Sequence, residues 1–191
     1  MRSTFGRSLF WAAITAFTFL SGCQIVTVSA VRLEIHQSQV NRTGLAVVRA
    51  DPDLKITLAP PEEWDRLPLV ANVLYAHQQW RSSDHRAGMG VAYLHTPIPF
   101  SPQTLIWFAK LQYSHSRDTS GRLIAQWTDS LGRCWFEAED ARFHVRGYAM
   151  TRGNDAWIVY SGYRIRAMPS PAQIALAARG ADSVAPLPAN E

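Results

Sequence analysis

Spaced by its apolar side chains, the chain falls into an apolar opening, an irregular stretch and a body dominated by strand signals. Residues 54–59 alternate and stop at Pro60-Pro61, which reads as a strand. Residues 69–80 are apolar but mixed, and Asn72 with Gln78-Gln79 leaves helix and strand both open there. Residues 89–95 form a strand bounded by Gly88 and Pro97. Ser101 then suits a helix N-cap and Pro102 its first position. Leu105, Phe108 and Gln112 share a face, so an amphipathic helix is expected to end near Ser114. Four strands follow, over residues 122–128, 133–139, 142–152 and 155–166. The turn between the last two, Gly153-Asn154, is a two-residue hairpin signal. Ser170 and Pro171 open a closing helix, with Gly180 placed like a C-cap. Strands, a helix, a four-strand meander and a helix predict an α+β domain with an antiparallel sheet.

Size and composition add bounds. The chain has 191 residues, 47% of them apolar and 18% charged, which is a globular balance for a single domain. Its boundaries are expected at 1–22 (export signal), 23–44 (N-terminal linker), 45–184 (domain) and 185–191 (a loose tail with two prolines). The net charge is +4. Removal of Arg2 and Arg7 with the signal leaves 17 basic against 15 acidic residues, or +2, and the basic residues are scattered. No nucleic-acid partner is expected from so small and dispersed a charge. With Cys23 committed elsewhere, Cys134 has no partner within the chain, so neither a disulfide nor a multi-cysteine zinc site is expected.

The opening carries Arg2 and Arg7, no acid, and an apolar run over residues 9–20. A dozen helical residues span roughly 18 Å, too short for a hydrocarbon core of about 30 Å. The run closes on Leu20-Ser21-Gly22-Cys23, which resembles the lipobox of bacterial lipoproteins. Such a resemblance implies a thioether-linked lipid on the Cys23 thiol, cleavage before Cys23 and anchoring in the cell envelope, since two or more acyl chains hold stably to a bilayer. Gln24, which is not the aspartate linked to inner-membrane retention, points to the outer membrane and its periplasmic side.

The body carries a second resemblance. A strand leading to a Pro-then-Trp turn (Leu54 to Trp64) precedes a Pro-flanked helix. The aromatic meander from Gly132-Arg-Cys-Trp-Phe through Trp157-Ile-Val-Tyr then leads to a helix ending near Ser183-Val184. This order is similar to the PsbP-like α/β/α sandwich of the photosystem oxygen-evolving subunit and of DcrB-type envelope lipoproteins. It implies a docking and assembly module.

Motifs for catalysis are missing: no G-x-S-x-G, G-x-x-x-x-G-K-[ST], G-x-G-x-x-G or H-E-x-x-H occurs. Ser114-His115-Ser116-Arg117-Asp118 holds the residue types of a triad but reads as a polar helix end, and Asp84-His85-Arg86 reads as a loop. The histidines lack ligand spacing, so no metal or cofactor is expected. Cys134 reads as a small core residue sharing a face with Phe136 and Ala138, rather than as a reactive thiol. Across the Gly153-Asn154 turn, Met150 faces Trp157, Tyr148 faces Val159, Arg146 faces Ser161 and His144 faces Tyr163. One side thus carries His144, Arg146, Tyr148, Trp157 and Tyr163, residue types that protein interfaces favour. They are expected to contact an envelope partner, unless a helix covers them and turns the aromatics into core. A non-catalytic docking lipoprotein is the leading expectation. A small-ligand carrier with an aromatic-lined pocket and a hydrolase with a dispersed site are the alternatives.

Overall fold

The computed structural model describes residues 39–107 and 121–188. The apolar opening, Cys23, residues 108–114 of the expected first helix and the triad-like 114–118 stretch lie outside the described residues.

Alternation of buried and exposed positions builds one large antiparallel sheet from β3 (Asp65–Arg66), β4 (Val70–Asn72), β5 (Tyr75–Arg81), β6 (Ala87–His95), β7 (Arg122–Thr128), β8 (Cys134–Glu139), β9 (Phe143–Arg152) and β10 (Asp155–Arg164). Its order is β3-β5-β6-β10-β9-β8-β7, with β4 beside β3 on the same side of β5. Within this sheet, among the described residues, only β6 with β10 joins strands distant in the chain. A small sheet, β1 (Arg49–Asp51), β2 (Ile56–Leu58) and β11 (Ala185–Pro186), lies against it. The fold is α+β with antiparallel pairing throughout.

Two helices cover opposite faces. The first, α1, is described over residues 102–107, and the Ser101 hydroxyl accepts from the Thr104 amide at its start. Leu105 and Ile106 of α1 pack on Leu94, Cys134, Ala149 and Ala156, which share one face of the sheet. The second, α2 (Pro171–Asp182), opens with a capping box in which Ser170 and Gln173 satisfy each other's backbone amides. It packs over β6 and β10 on the other face, and the Tyr148 hydroxyl donates to Ala181 O at 2.9 Å. The small sheet completes that layer: Leu54, Ile56 and Leu58 are buried with Trp80, Met89 and Trp157, and Trp157 Nε1 donates to Leu54 O at 2.8 Å.

The Gly153-Asn154 hairpin has the expected register, with Arg152 opposite Asp155. Gly153 sits at φ +58° while Asn154 keeps a negative φ, the pattern of a type II′ turn.

Four expectations change. The mixed stretch 69–80 is a hairpin, because the Asn72 side chain accepts from the Leu74 amide and turns the chain between β4 and β5. The last meander strand ends at Arg164 and continues as a single 3₁₀ turn, Ile165–Ala167. Gly180 is not a C-cap: α2 runs on to Asp182 with Ser183 as cap. A Cβ at residue 180 would come within 2.5 Å of Met89 Sδ, so glycine there permits close helix-sheet approach. The tail is anchored at its start, since Ala185 and Pro186 pair with Thr57 and Ile56, and Leu187 N donates to Lys55 O at 2.9 Å. Proline is tolerated there because β11 is an edge strand.

Candidate functional site

All five residues singled out on the last hairpin project from one face, in the expected register: Trp157 opposite Met150, Val159 opposite Tyr148, Ser161 opposite Arg146 and Tyr163 opposite His144. That face is covered over its middle and open towards β7. Tyr148 and Trp157 are both 0% exposed beneath α2 and the small sheet, so they are core, and no partner can reach them. Alternation identified the shared side but could not say how far the covering layer extends.

His144, Arg146 and Tyr163 lie beyond that cover. His144 stacks on Tyr163 with centroids 5.0 Å apart, and its Nε2 lies 3.0 Å from a Glu137 oxygen. Arg146 is exposed and rests over two tryptophans, with its guanidinium 5.0 Å from the Trp135 ring and 5.5 Å from Trp127. The two indoles stack with centroids 5.9 Å apart and only 5° between their planes. Cross-strand pairing explains this: Trp127 on β7 faces Trp135 on β8, which faces Tyr148 on β9. The row therefore runs from the buried Tyr148 to Trp127, 38% exposed on the last strand of the sheet.

A buried ion cluster fixes the row from below. Arg133, 4% exposed, places its guanidinium over both Trp135 and Tyr148. Its Nε donates to Asp129 Oδ2 at 2.7 Å, and the same oxygen accepts from Trp135 Nε1 at 2.7 Å. Burial works to raise the Asp129 carboxyl, but the bonds from Trp135 and Arg133 outweigh it and hold the group below its usual range. The indole of Trp135 is thus pinned in plane and edge, which presents Trp127 and Arg146 in a set geometry.

A second polar cluster, which sequence reasoning missed, sits where β6 meets β10. One oxygen of Asp155 accepts from the Tyr93 hydroxyl at 2.7 Å and lies 2.9 Å from His95 Nδ1 and 3.1 Å from Lys55 Nζ. Burial would raise this carboxyl as well, and these three contacts hold it low. Through Asp155 this cluster ties Lys55, in the turn before β2, to the large sheet. On the opposite face His77 Nε2 lies 2.7 Å from the Tyr160 hydroxyl. Burial pushes the Tyr160 phenol up to about 12 and lowers the His77 imidazole.

Cys134 is 1% exposed in the α1 layer, and burial pushes its thiol up. Asp84-His85-Arg86 forms the turn between β5 and β6, where Asp84 accepts from Ser82 and Gln173 and is held at about 2, and His85 takes φ +60°. Among the described residues no group of three or more metal-ligating side chains gathers, and no helix is long and apolar enough to cross a membrane. No family model matches the chain, and no curated protein matches it in sequence.

Proposed function

We propose that this chain is a bacterial envelope lipoprotein, anchored by lipid on Cys23, whose domain docks onto another envelope protein through Trp127, Trp135 and Arg146. The anchor rests on Leu20-Ser21-Gly22-Cys23 behind a basic start and a short apolar run. Gln24 favours the outer membrane, facing the periplasm. The order of elements, with a helix on each face of the sheet, supports a PsbP-like α/β/α sandwich, a fold used for docking and assembly.

One observation carries the docking role: a guanidinium laid over two stacked indoles at the open end of the sheet. Arginine and tryptophan are the side chains that contribute most to protein interfaces. The Arg133–Asp129–Trp135 cluster orders this row before any partner arrives, which lowers the entropy cost of binding. Arg146 has cation–π contacts but no ion pair among the described residues, so a partner carboxylate beside an apolar edge would complement it.

Two measurements test this. Labelled palmitate and membrane fractionation should both be lost in Cys23→Ser; retention of both ends the anchoring claim. A photo-crosslinking residue at position 127 should give a discrete adduct in native envelopes that disappears in Arg146→Ala. The same group at Val47, which is 89% exposed on the segment before β1, should give no such adduct. An adduct unchanged by Arg146→Ala, or shared with position 47, refutes the docking surface.

A further inference from the structure

We propose that the cleft beside the paired glycines Gly88 and Gly162 binds an anion, a carboxylate or phosphate, carried on a small apolar body. This face of the sheet is opposite the tryptophan row, and the proposal stands whether or not that row docks a partner.

The sheet itself makes the cleft. Gly88 on β6 and Gly162 on β10 are register partners, so two adjacent strands present no side chain at one point of this face. Their outer neighbours are Arg81 on β5, opposite Gly88, and Val145 on β9, opposite Gly162. A hollow of about 320 Å³ results, bounded also by Tyr160, Phe143 and the ends of the strands. That volume is at the lower end of ligand sites, which run from roughly 300 to 1,000 Å³.

The charge around the hollow has one sign. Arg81, His85, Arg86 and Arg164 line it, and no aspartate or glutamate does. Arg164 N donates to Arg86 O at 2.9 Å, which fixes the two rim arginines side by side, and the Arg164 guanidinium lies 5.9 Å from the Phe143 ring. The Nε of Arg81 is buried and has no hydrogen-bond partner. Of the nearby acids, Asp84 pairs with the rim residue Arg86 from outside the cleft, and the other stands apart. Asp84 accepts from Ser82, Gln173 and the Arg86 amide, with Arg86 Nε at 3.7 Å, while Asp65, the register partner of Arg81, does not line the cleft.

A buried guanidinium nitrogen without an acceptor is costly. Guanidiniums match the paired oxygens of a carboxylate or phosphate, and apolar walls strengthen the attraction by keeping water out. Phe143, Val145 and the Tyr160 ring leave room for one ring or a short chain behind the anion. The oxyanion could belong to a free metabolite or to a lipid headgroup.

Calorimetric titration of the full chain with phenyl phosphate tests the proposal. Saturable binding is expected, with inorganic phosphate weaker and neutral benzyl alcohol silent. Arg81→Gln and Arg164→Gln should each weaken binding at least about tenfold, the equivalent of one charge-assisted hydrogen bond. Arg122→Gln, at the far edge of the sheet, should leave it unchanged. Melting curves report whether Arg81→Gln keeps the fold, and the exposed Arg164 decides the matter should it not. Cosedimentation with phosphatidylglycerol but not phosphatidylcholine vesicles, lost in Arg164→Gln, would assign the anion to a lipid headgroup. Phenyl phosphate binding without cosedimentation would assign it to a free ligand. Absence of saturable binding to phenyl phosphate and to both vesicle types overturns the site. Equal binding of benzyl alcohol, or equal losses in Arg122→Gln, overturns it as well.

Discussion

Trp157→Phe tests what fastens the small sheet to the large one. The indole is 0% exposed, and its Nε1 is the donor to Leu54 O, a carbonyl on a residue that is also 0% exposed. Phenylalanine keeps a ring in the core but offers no donor, so the carbonyl stays buried with that bond unmade. Leaving such a group unsatisfied costs about 1–3 kcal/mol. The lost part of the indole adds a fraction of the ~3–5 kcal/mol that complete truncation of a core tryptophan costs. The expected total is about 2–4 kcal/mol, a large share of the ~5–15 kcal/mol that a domain has. In urea, with a slope of about 2 kcal/mol per molar, the unfolding midpoint should fall by about 1–2 M. Far-ultraviolet circular dichroism against urea measures it. Trp127→Phe at the open edge serves as control and should stay within about 0.5 kcal/mol. Should Trp157→Phe cost no more than Trp127→Phe, the hydrogen bond across the layers is not what holds the small sheet. Trp157→Ala should disrupt the fold outright, so loss of binding in that variant would report unfolding.

Three further outcomes are expected. His77 has a folded pKa lowered by burial, so its contribution is intact above the unfolded value of about 6.5 and declines as pH falls below it; urea midpoints between about pH 7.5 and 5 should fall in the wild type and level out in His77→Gln. With Cys23 replaced by serine, Cys134 should resist a thiol reagent such as Ellman's in the native state and react at once in denaturant, because the thiol is both buried and raised in pKa. Gly153→Ala should cost about 1 kcal/mol in urea melts, since no atom lies within 4 Å of the added Cβ and only the φ of +58° opposes it, while Gly153→Asn should recover part of the loss.

The meander was legible because its cues are local. Alternation marks β7 to β10, and the Gly153-Asn154 turn fixes the cross-strand partners of β9 and β10. The chain between Asp65 and Gly88 was harder, because the turn at Asn72 is signalled by one side chain inside an apolar run. Strands of two or three residues, such as β3 and β11, are too short to show a period at all. The candidate surface was half legible. Pattern put His144, Arg146, Tyr148, Trp157 and Tyr163 on one side, yet burial of Tyr148 and Trp157 depends on α2 and on Leu54, more than a hundred residues from Trp157. Trp127 and Trp135 joined the surface only through β7–β8 pairing. The hollow at Gly88 and Gly162 had no cue in sequence, since it arises from two glycines more than seventy residues apart.

The β6–β10 pairing also divides the molecule in a way that matters for assembly. Each flanking set of strands, 65–95 and 122–164, is a run of hairpins closed by short turns, and the two sets meet along one seam of nine residue pairs with α2 lying astride it. Local hairpins close in microseconds, whereas a long-range junction waits on diffusion of preformed halves. The large sheet is in effect two ribbons zipped once, with β2–β11 as a second, shorter clasp between the same two parts of the chain, so a cut between residues 96 and 101 should yield fragments that find each other and rebuild the sheet.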